Sequence, residues 1–174
     1  MKLINSLHRY DVLLFTVLIN ARIHKHLIRT ARWFSMTGDG LLYVAVGVFL
    51  MATEGWQSLF LKVALLAFAI ERPLYFVLKN SFKRNRPQAA LSNFISHIKP
   101  SDQFSFPSGH TSAAFLMATL TAYFMPELLW ALMFWAGCVG FSRVVLGVHF
   151  PTDILVGMLM GSGIAMYSLN QMVL

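Results

Sequence analysis

The sequence predicts an all-α fold: a single-domain, polytopic membrane bundle of five or six transmembrane helices. Three observations predict it. Apolar residues fill 57% of the 174 positions and charged residues 12%, about half the charged share of a soluble domain. Mean hydropathy is positive. The apolar residues run in long stretches without the alternation of strands, and only helices and closed barrels satisfy the backbone in lipid.

Each element follows in order. Within residues 1–37, the apolar stretch 12–19 is too brief to cross a bilayer alone, and 22–32 is basic with Ile23, Leu27 and Ile28 in helical rhythm. This segment is expected to be an amphipathic helix in the membrane interface, or part of a tilted first span. Spans are expected at 38–53, at 57–79 with Glu71-Arg72-Pro73 in its body, and at 108–125. Two more, 127–147 and 152–174, have about the twenty residues a bilayer core requires. Pro126 makes a tight turn, and 88–106 is expected as a loop or short surface helix. Gly157 and Gly161 lie four apart in the last span, the spacing of close helix packing.

Net charge is +7, but the basic residues gather at the ends of apolar runs, so no nucleic-acid partner is expected. Cys138 stands alone, which excludes a disulfide framework or a zinc site built on cysteines. The N-terminal stretch carries Asp11 and no small-residue cleavage site, so no removable signal peptide is expected.

Three polar clusters interrupt the apolar runs: Lys79 with Arg86-Pro87; Pro107-Ser108-Gly109-His110; and Ser142-Arg143 with His149 and Asp153. Counting alternate crossings puts all three on one membrane face. Lys79, Lys83 and Arg86 would share a stripe if the helix continued past 79, with Arg72 seven residues earlier. Cations at a span end also snorkel for ordinary reasons. Glu71 and Arg72 lie deeper, where ionisable residues face the bundle interior and pair. Ser108 or Thr111 can cap a helix whose N-terminus attracts an anion, with Gly109 allowing close approach. His110 beside it can protonate a leaving oxygen, or simply stand at the interface. The Arg143 fork suits two phosphate oxygens. Asp153 can reach back to one ring nitrogen of His149 and leave the other as a nucleophile, although an Asp and a His at a helix start can also just cap and pair.

Together these clusters resemble the type 2 phosphatidic acid phosphatase superfamily. Its signature is a Lys, six residues and Arg-Pro; Pro-Ser-Gly-His; then Ser-Arg, five residues, His, three residues and Asp. Every element matches, over residues 79–153 of this chain. The resemblance implies a membrane lipid phosphatase in which His149 forms a phosphohistidine and Asp153 orients it. It implies that Lys79, Arg86, Arg143, Ser108 and the Gly109 backbone hold the phosphoryl oxygens, and that His110 protonates the leaving oxygen. No cofactor and no metal are implied, fixed cations taking the metal's place. The implied partners are a phosphorylated lipid substrate and the bilayer, with no obligate protein partner. Undecaprenyl diphosphate is the favoured substrate, with phosphatidylglycerophosphate or phosphatidic acid as others. Lipid phosphotransfer through the same intermediate is an alternative, as is a non-catalytic phospholipid-binding or transport role. Bacterial relatives imply the inner (plasma) membrane with the site facing the periplasm or exterior, whereas the basic residues argue for the cytoplasmic side.

Overall fold

The computed structural model describes residues 2–172, so Met1 and the last two positions of the expected 152–174 span lie outside the described residues. The described residues contain eight α-helices and no strand: α1 (Lys2–Asn20), α2 (His24–Thr37), α3 (Gly40–Thr53), α4 (Leu59–Phe82), α5 (Pro87–Ala90), α6 (Gly109–Phe124), α7 (Leu129–Val145) and α8 (Pro151–Met172). Single 3-10 turns at Gly55–Gln57 and Pro126–Leu128 join α3 to α4 and α6 to α7.

Helix α6 is the axis of the bundle. Ten of its 16 residues are buried, among them Ala113, Ala114, Ala118 and Ala122, whose small side chains let neighbours approach. It packs most extensively on α8, then on α7, with α4 completing the surround. Leu116, Leu120, Val63, Ala67 and Ala165 form the main core where α4, α6 and α8 meet. Outward faces carry Leu41, Trp130, Phe134 and Leu159, all exposed, as a lipid-facing surface requires. Among the described residues, three stretches are long and apolar enough to cross a membrane: His24–Thr53, Pro126–Val145 and Pro151–Met172.

The N-terminal third differs from the expectation of a helix confined to the interface. Helix α2 buries His24, Ala31 and Ser35, and it packs against α7. It runs on into α3 with only Gly38 and Asp39 between, so the pair makes one continuous 30-residue stretch. The apolar residues 12–19 belong to the 19-residue α1, which buries Asp11 and Phe15 against the bundle. Taking α2 and α3 together, six long helical stretches result: α1, α2–α3, α4, α6, α7 and α8.

The expected stripe through Lys79, Lys83 and Arg86 needs correction. Helix α4 stops at Phe82, and Lys83 takes the left-handed conformation with φ 45°. Pro87 then holds Arg86 extended at φ −72°, ψ 160°. Lys83 is thereby turned out to solvent, while Arg84 and Arg86 are turned in.

The 91–108 loop folds over the end of the bundle where α4 ends and α6 begins. Ser105 N–H donates to Arg84 O at 2.8 Å, His97 N–H to Leu146 O at 3.0 Å, and Ser96 Oγ to Gly147 O at 2.7 Å. Gly147 sits at φ +77°, and a Cβ there would meet the Phe94 ring at 2.3 Å, so this turn needs glycine.

Candidate active site

Four helix ends converge beneath that loop: the C-termini of α4 and α7 and the N-termini of α6 and α8. Alternate crossings make this arrangement unavoidable once the three clusters fall at those ends.

His149 lies in the short α7–α8 connection, outside the spans. Its N–H donates to Arg143 O at 3.3 Å, and its ring is almost wholly buried. Asp153, one turn into α8, accepts the Phe150 N–H at 2.8 Å through Oδ2, which caps the helix. The same oxygen lies 3.6 Å from His149 Nδ1, longer than a hydrogen bond but close enough to orient the ring. His149 Nε2 faces Arg86 Nη1 at 3.4 Å. A guanidinium can only donate, so Nε2 carries the lone pair and Nδ1 the hydrogen. Burial drives the ring's pKa down to about 4; Asp153 opposes this, and Arg86 and Arg143 add to the fall. The imidazole is therefore neutral at physiological pH, with its lone pair toward the cavity.

Behind Asp153 stands a buried network that the sequence reading missed. Arg84 donates to Asp153 Oδ1 at 2.8 Å, to Asp11 Oδ2 at 2.5 Å and to Thr152 Oγ1 at 2.7 Å. Asp11 also accepts from the Thr152 N–H at 3.0 Å. One guanidinium thus joins two buried carboxylates from opposite ends of the chain and fixes the residue that faces His149. Asp11, an acid inside an apolar stretch, was the available signal.

The cations meet at Asp102, the only acid of the 88–106 loop. Lys79 Nζ donates to its Oδ1 at 2.7 Å, Arg86 Nη2 to the same oxygen at 2.5 Å, and Tyr75 Oη to Oδ2 at 2.8 Å. Lys79 also bonds Tyr75 Oη. Burial works against the Asp102 charge, but hydrogen bonds from Lys79, Tyr75 and Arg86 hold its carboxyl down at about 2. Arg86 is anchored further by Val148 O at 2.6 Å and Asp102 O at 3.0 Å. Arg143 donates to Ser35 Oγ on α2 at 2.5 Å, while its buried Nε has no partner among the described residues. That nitrogen is an unused donor on a side chain that lines the cavity.

At the start of α6, Ser108 is fully buried. Its Oγ receives the Thr111 N–H at 3.5 Å and bonds Thr111 Oγ1 at 2.9 Å, so the hydroxyl is engaged in the cap. The Gly109 and His110 N–H groups have no protein acceptor among the described residues, which leaves first-turn donors for an anion. His110 Nε2 is held by Asp39 Oδ1 at 2.8 Å, across from the α2–α3 junction. Asp39, between Gly38 and Gly40, was another residue the sequence reading passed over.

Arg86, Gly109, His110, Arg143 and His149 all line one cavity of about 670 Å³. Lys79, Ser108 and Asp153 are not part of that lining: Lys79 bonds Tyr75 and Asp102, which are, Asp153 faces His149, and Ser108 caps the helix that carries Gly109 and His110. Away from the cations the lining turns apolar: Tyr43, Val48, Met51, Leu61, Leu65 and Phe68. A second cavity of about 520 Å³ reaches His110 and Arg143 from the loop side, past Arg32, His97 and Lys99.

Comparison with known proteins agrees with this architecture. Residues 58–173 match the PAP2 superfamily. The chain is 29% identical to phosphatidylglycerophosphatase B of Bacillus subtilis (strain 168), over 87% of this chain and 88% of that protein. It is 36% identical to an undecaprenyl-diphosphatase of Sulfolobus acidocaldarius, over 44% of this chain and 37% of that one. The crystal structure of a transmembrane PAP2 type phosphatidylglycerolphosphate phosphatase from Bacillus subtilis superposes with a TM-score of 0.81 at 26% identity, covering 96% of this chain and 86% of that one. The chain belongs to the PAP2 superfamily: it is a lipid phosphatase of the PAP2 type, set among membrane-spanning helices.

Proposed function

We propose that this protein removes a terminal phosphate from a membrane lipid through a phosphohistidine on His149, with undecaprenyl diphosphate as the favoured substrate and phosphatidylglycerophosphate or phosphatidic acid as others. One observation carries the reading. A neutral, buried imidazole turns its lone pair toward the Arg86 guanidinium at the polar end of a cavity whose other end is apolar. Relatives named for phosphatidylglycerophosphate and for undecaprenyl diphosphate support the substrate class.

His149 Nε2 attacks phosphorus and forms the P–N bond as the bond from phosphorus to the leaving oxygen breaks. His110 gives that oxygen a proton. Arg86 and Arg143, the Lys79 ammonium behind Asp102, and the first-turn N–H groups of α6 balance the charge on the equatorial oxygens. Water, entering by the polar cavity beside Arg32 and Lys99, then attacks phosphorus; His110 takes its proton, the P–N bond breaks, and phosphate leaves. Asp153, fixed by Arg84, keeps the His149 tautomer, and the Ser108 hydroxyl keeps the α6 N-terminus formed.

The test is a quench experiment on purified protein in detergent with chelator present. Lipid labelled in its terminal phosphate should release labelled phosphate. Quenching should trap an acid-labile, base-stable label on the peptide that contains His149. Turnover with no such label, or with label on another residue, sinks the mechanism.

The bacterial inner membrane, with the site on its outer face, is the location we propose. Helix α8 starts at the site and runs away from it, so its Met172 end lies at the opposite face. A C-terminal fluorescent-protein fusion should fluoresce and an alkaline phosphatase fusion should be inactive; the reverse pattern puts the site in the cytoplasm.

A further inference from the structure

Arg72 is a charge that the reaction above does not use. It lies on α4 seven residues before Lys79, within the membrane-embedded part of the chain, where an ionisable group needs a partner or a task. A partner is present: Arg72 Nε bonds Glu71 Oε2, and Glu71 is fully buried. That contact uses one of five donors. The two terminal nitrogens make no hydrogen bond among the described residues, and half the side chain is exposed at the cavity. Neutralising Glu71 does not require this opening, because an inward fork would do so and an apolar pair would serve as well.

Its place along the cavity gives the task. Leu61, Leu65, Phe68, Arg72 and Tyr75 line the cavity at spacings of three and four residues, one stripe of α4. Arg72 therefore stands between the apolar end and the phosphate end. The two cations flank one ring: Lys79 Nζ is 4.5 Å and Arg72 Cζ 4.9 Å from the Tyr75 centre. Arg72 shares the cavity wall with Tyr43 and with His110, whose proton goes to the departing group.

Resting on the phosphatase reading above, we infer that Arg72 binds a second anionic phosphate carried on the leaving portion of the substrate, and so selects lipids that have one. In a lipid diphosphate the bond from the terminal phosphorus to the bridging oxygen breaks as His149 Nε2 bonds to that phosphorus. The bridging oxygen departs with the lipid monophosphate and takes the His110 proton. A guanidinium fork beside the departing phosphate stabilises the charge it gains. Phosphatidylglycerophosphate leaves through a glycerol oxygen, but its phosphodiester is a fixed anion on the leaving portion that the fork can bind. The diacylglycerol released from phosphatidic acid is a neutral alcohol and gives Arg72 nothing to bind.

The experiment compares kcat/KM for undecaprenyl diphosphate, phosphatidylglycerophosphate and phosphatidic acid in wild type, Arg72→Gln and Glu71→Gln/Arg72→Gln. The double variant removes the buried carboxylate that Arg72→Gln would leave unpaired. Expected is a loss of about tenfold or more on a substrate with a second phosphate, the scale of a charge-assisted fork, with phosphatidic acid changed by less than about threefold. Loss on the diphosphate alone assigns the diphosphate, and loss on phosphatidylglycerophosphate alone assigns the phosphodiester. Equal loss on all three substrates in both variants, or no loss on any, overturns the inference. A wild type that releases phosphate from none of the three instead sinks the phosphatase reading itself.

Discussion

His149→Asn is expected to lower kcat by about 10⁴-fold or more, the scale of removing a covalent nucleophile from a cooperating set. Asparagine keeps a polar side chain in a site that alanine would leave as a cavity, so loss of activity and loss of fold are separable. Binding of vanadate, which needs the cations and the α6 N-terminus but little from a nucleophile's lone pair beyond one apical bond, should weaken far less than kcat falls. The pH profile adds an independent check. Attack requires neutral His149, and burial puts its pKa at about 4 in place of the ordinary 6.5. Protonation of His149 should therefore remove kcat/KM with a midpoint near pH 4, once the ionisation of the substrate phosphate has been divided out. The alkaline limb belongs to loss of the His110 proton, so the profile is a bell. An acid midpoint at 6.5, or residual turnover of His149→Asn within tenfold of wild type, would refute the assignment.

How much of this could be read beforehand follows from the physics of each part. The spans were legible because lipid imposes composition, and the convergence of the clusters was legible because each sits at the end of a span. Arg86, His110, Arg143 and His149 meet around one cavity for that reason. The positioning residues were not legible, because their partners are distant in sequence: Arg84 to Asp11 is 73 residues and His110 to Asp39 is 71. Tyr75 was within reach, lying one turn before Lys79 on the same face. The end of α4 was missed because a left-handed Lys83 carries no glycine to announce it. Helix α2 looked interfacial because its polar residues are real; what it buries, His24, Ala31 and Ser35, is either polar or too small to register as an apolar face.

Gly161→Ala is expected to cause the largest loss of stability of any single methyl added to the bundle. A Cβ at 161 would lie 2.1 Å from Ser112 O and 3.0 Å from Leu116 N, both backbone atoms of α6. No rotamer can relieve that contact, so α6 and α8 must part. Gly157 repeats the problem one turn earlier, 2.7 Å from Ser108 O. Overpacking costs about 1–3 kcal/mol where side chains can yield, and a clash with backbone belongs at or above the top of that range. The site should suffer too, because the Ser108 N–H donates to Asp153 O at 3.1 Å across the same interface. Separating the helices pulls His110 and the α6 N-terminus away from His149. Gly163→Ala is the control: beyond its own stretch of helix, no atom of the described residues lies within 4 Å of its Cβ position, and alanine gains up to about 1 kcal/mol over glycine inside a helix. Thermal unfolding in detergent should place Gly163→Ala at or above wild type and Gly161→Ala well below, with kcat lost in parallel. Equal melting temperatures for the two variants would mean that α6 and α8 do not meet at backbone contact, and the shared wall of the site would lose its structural basis.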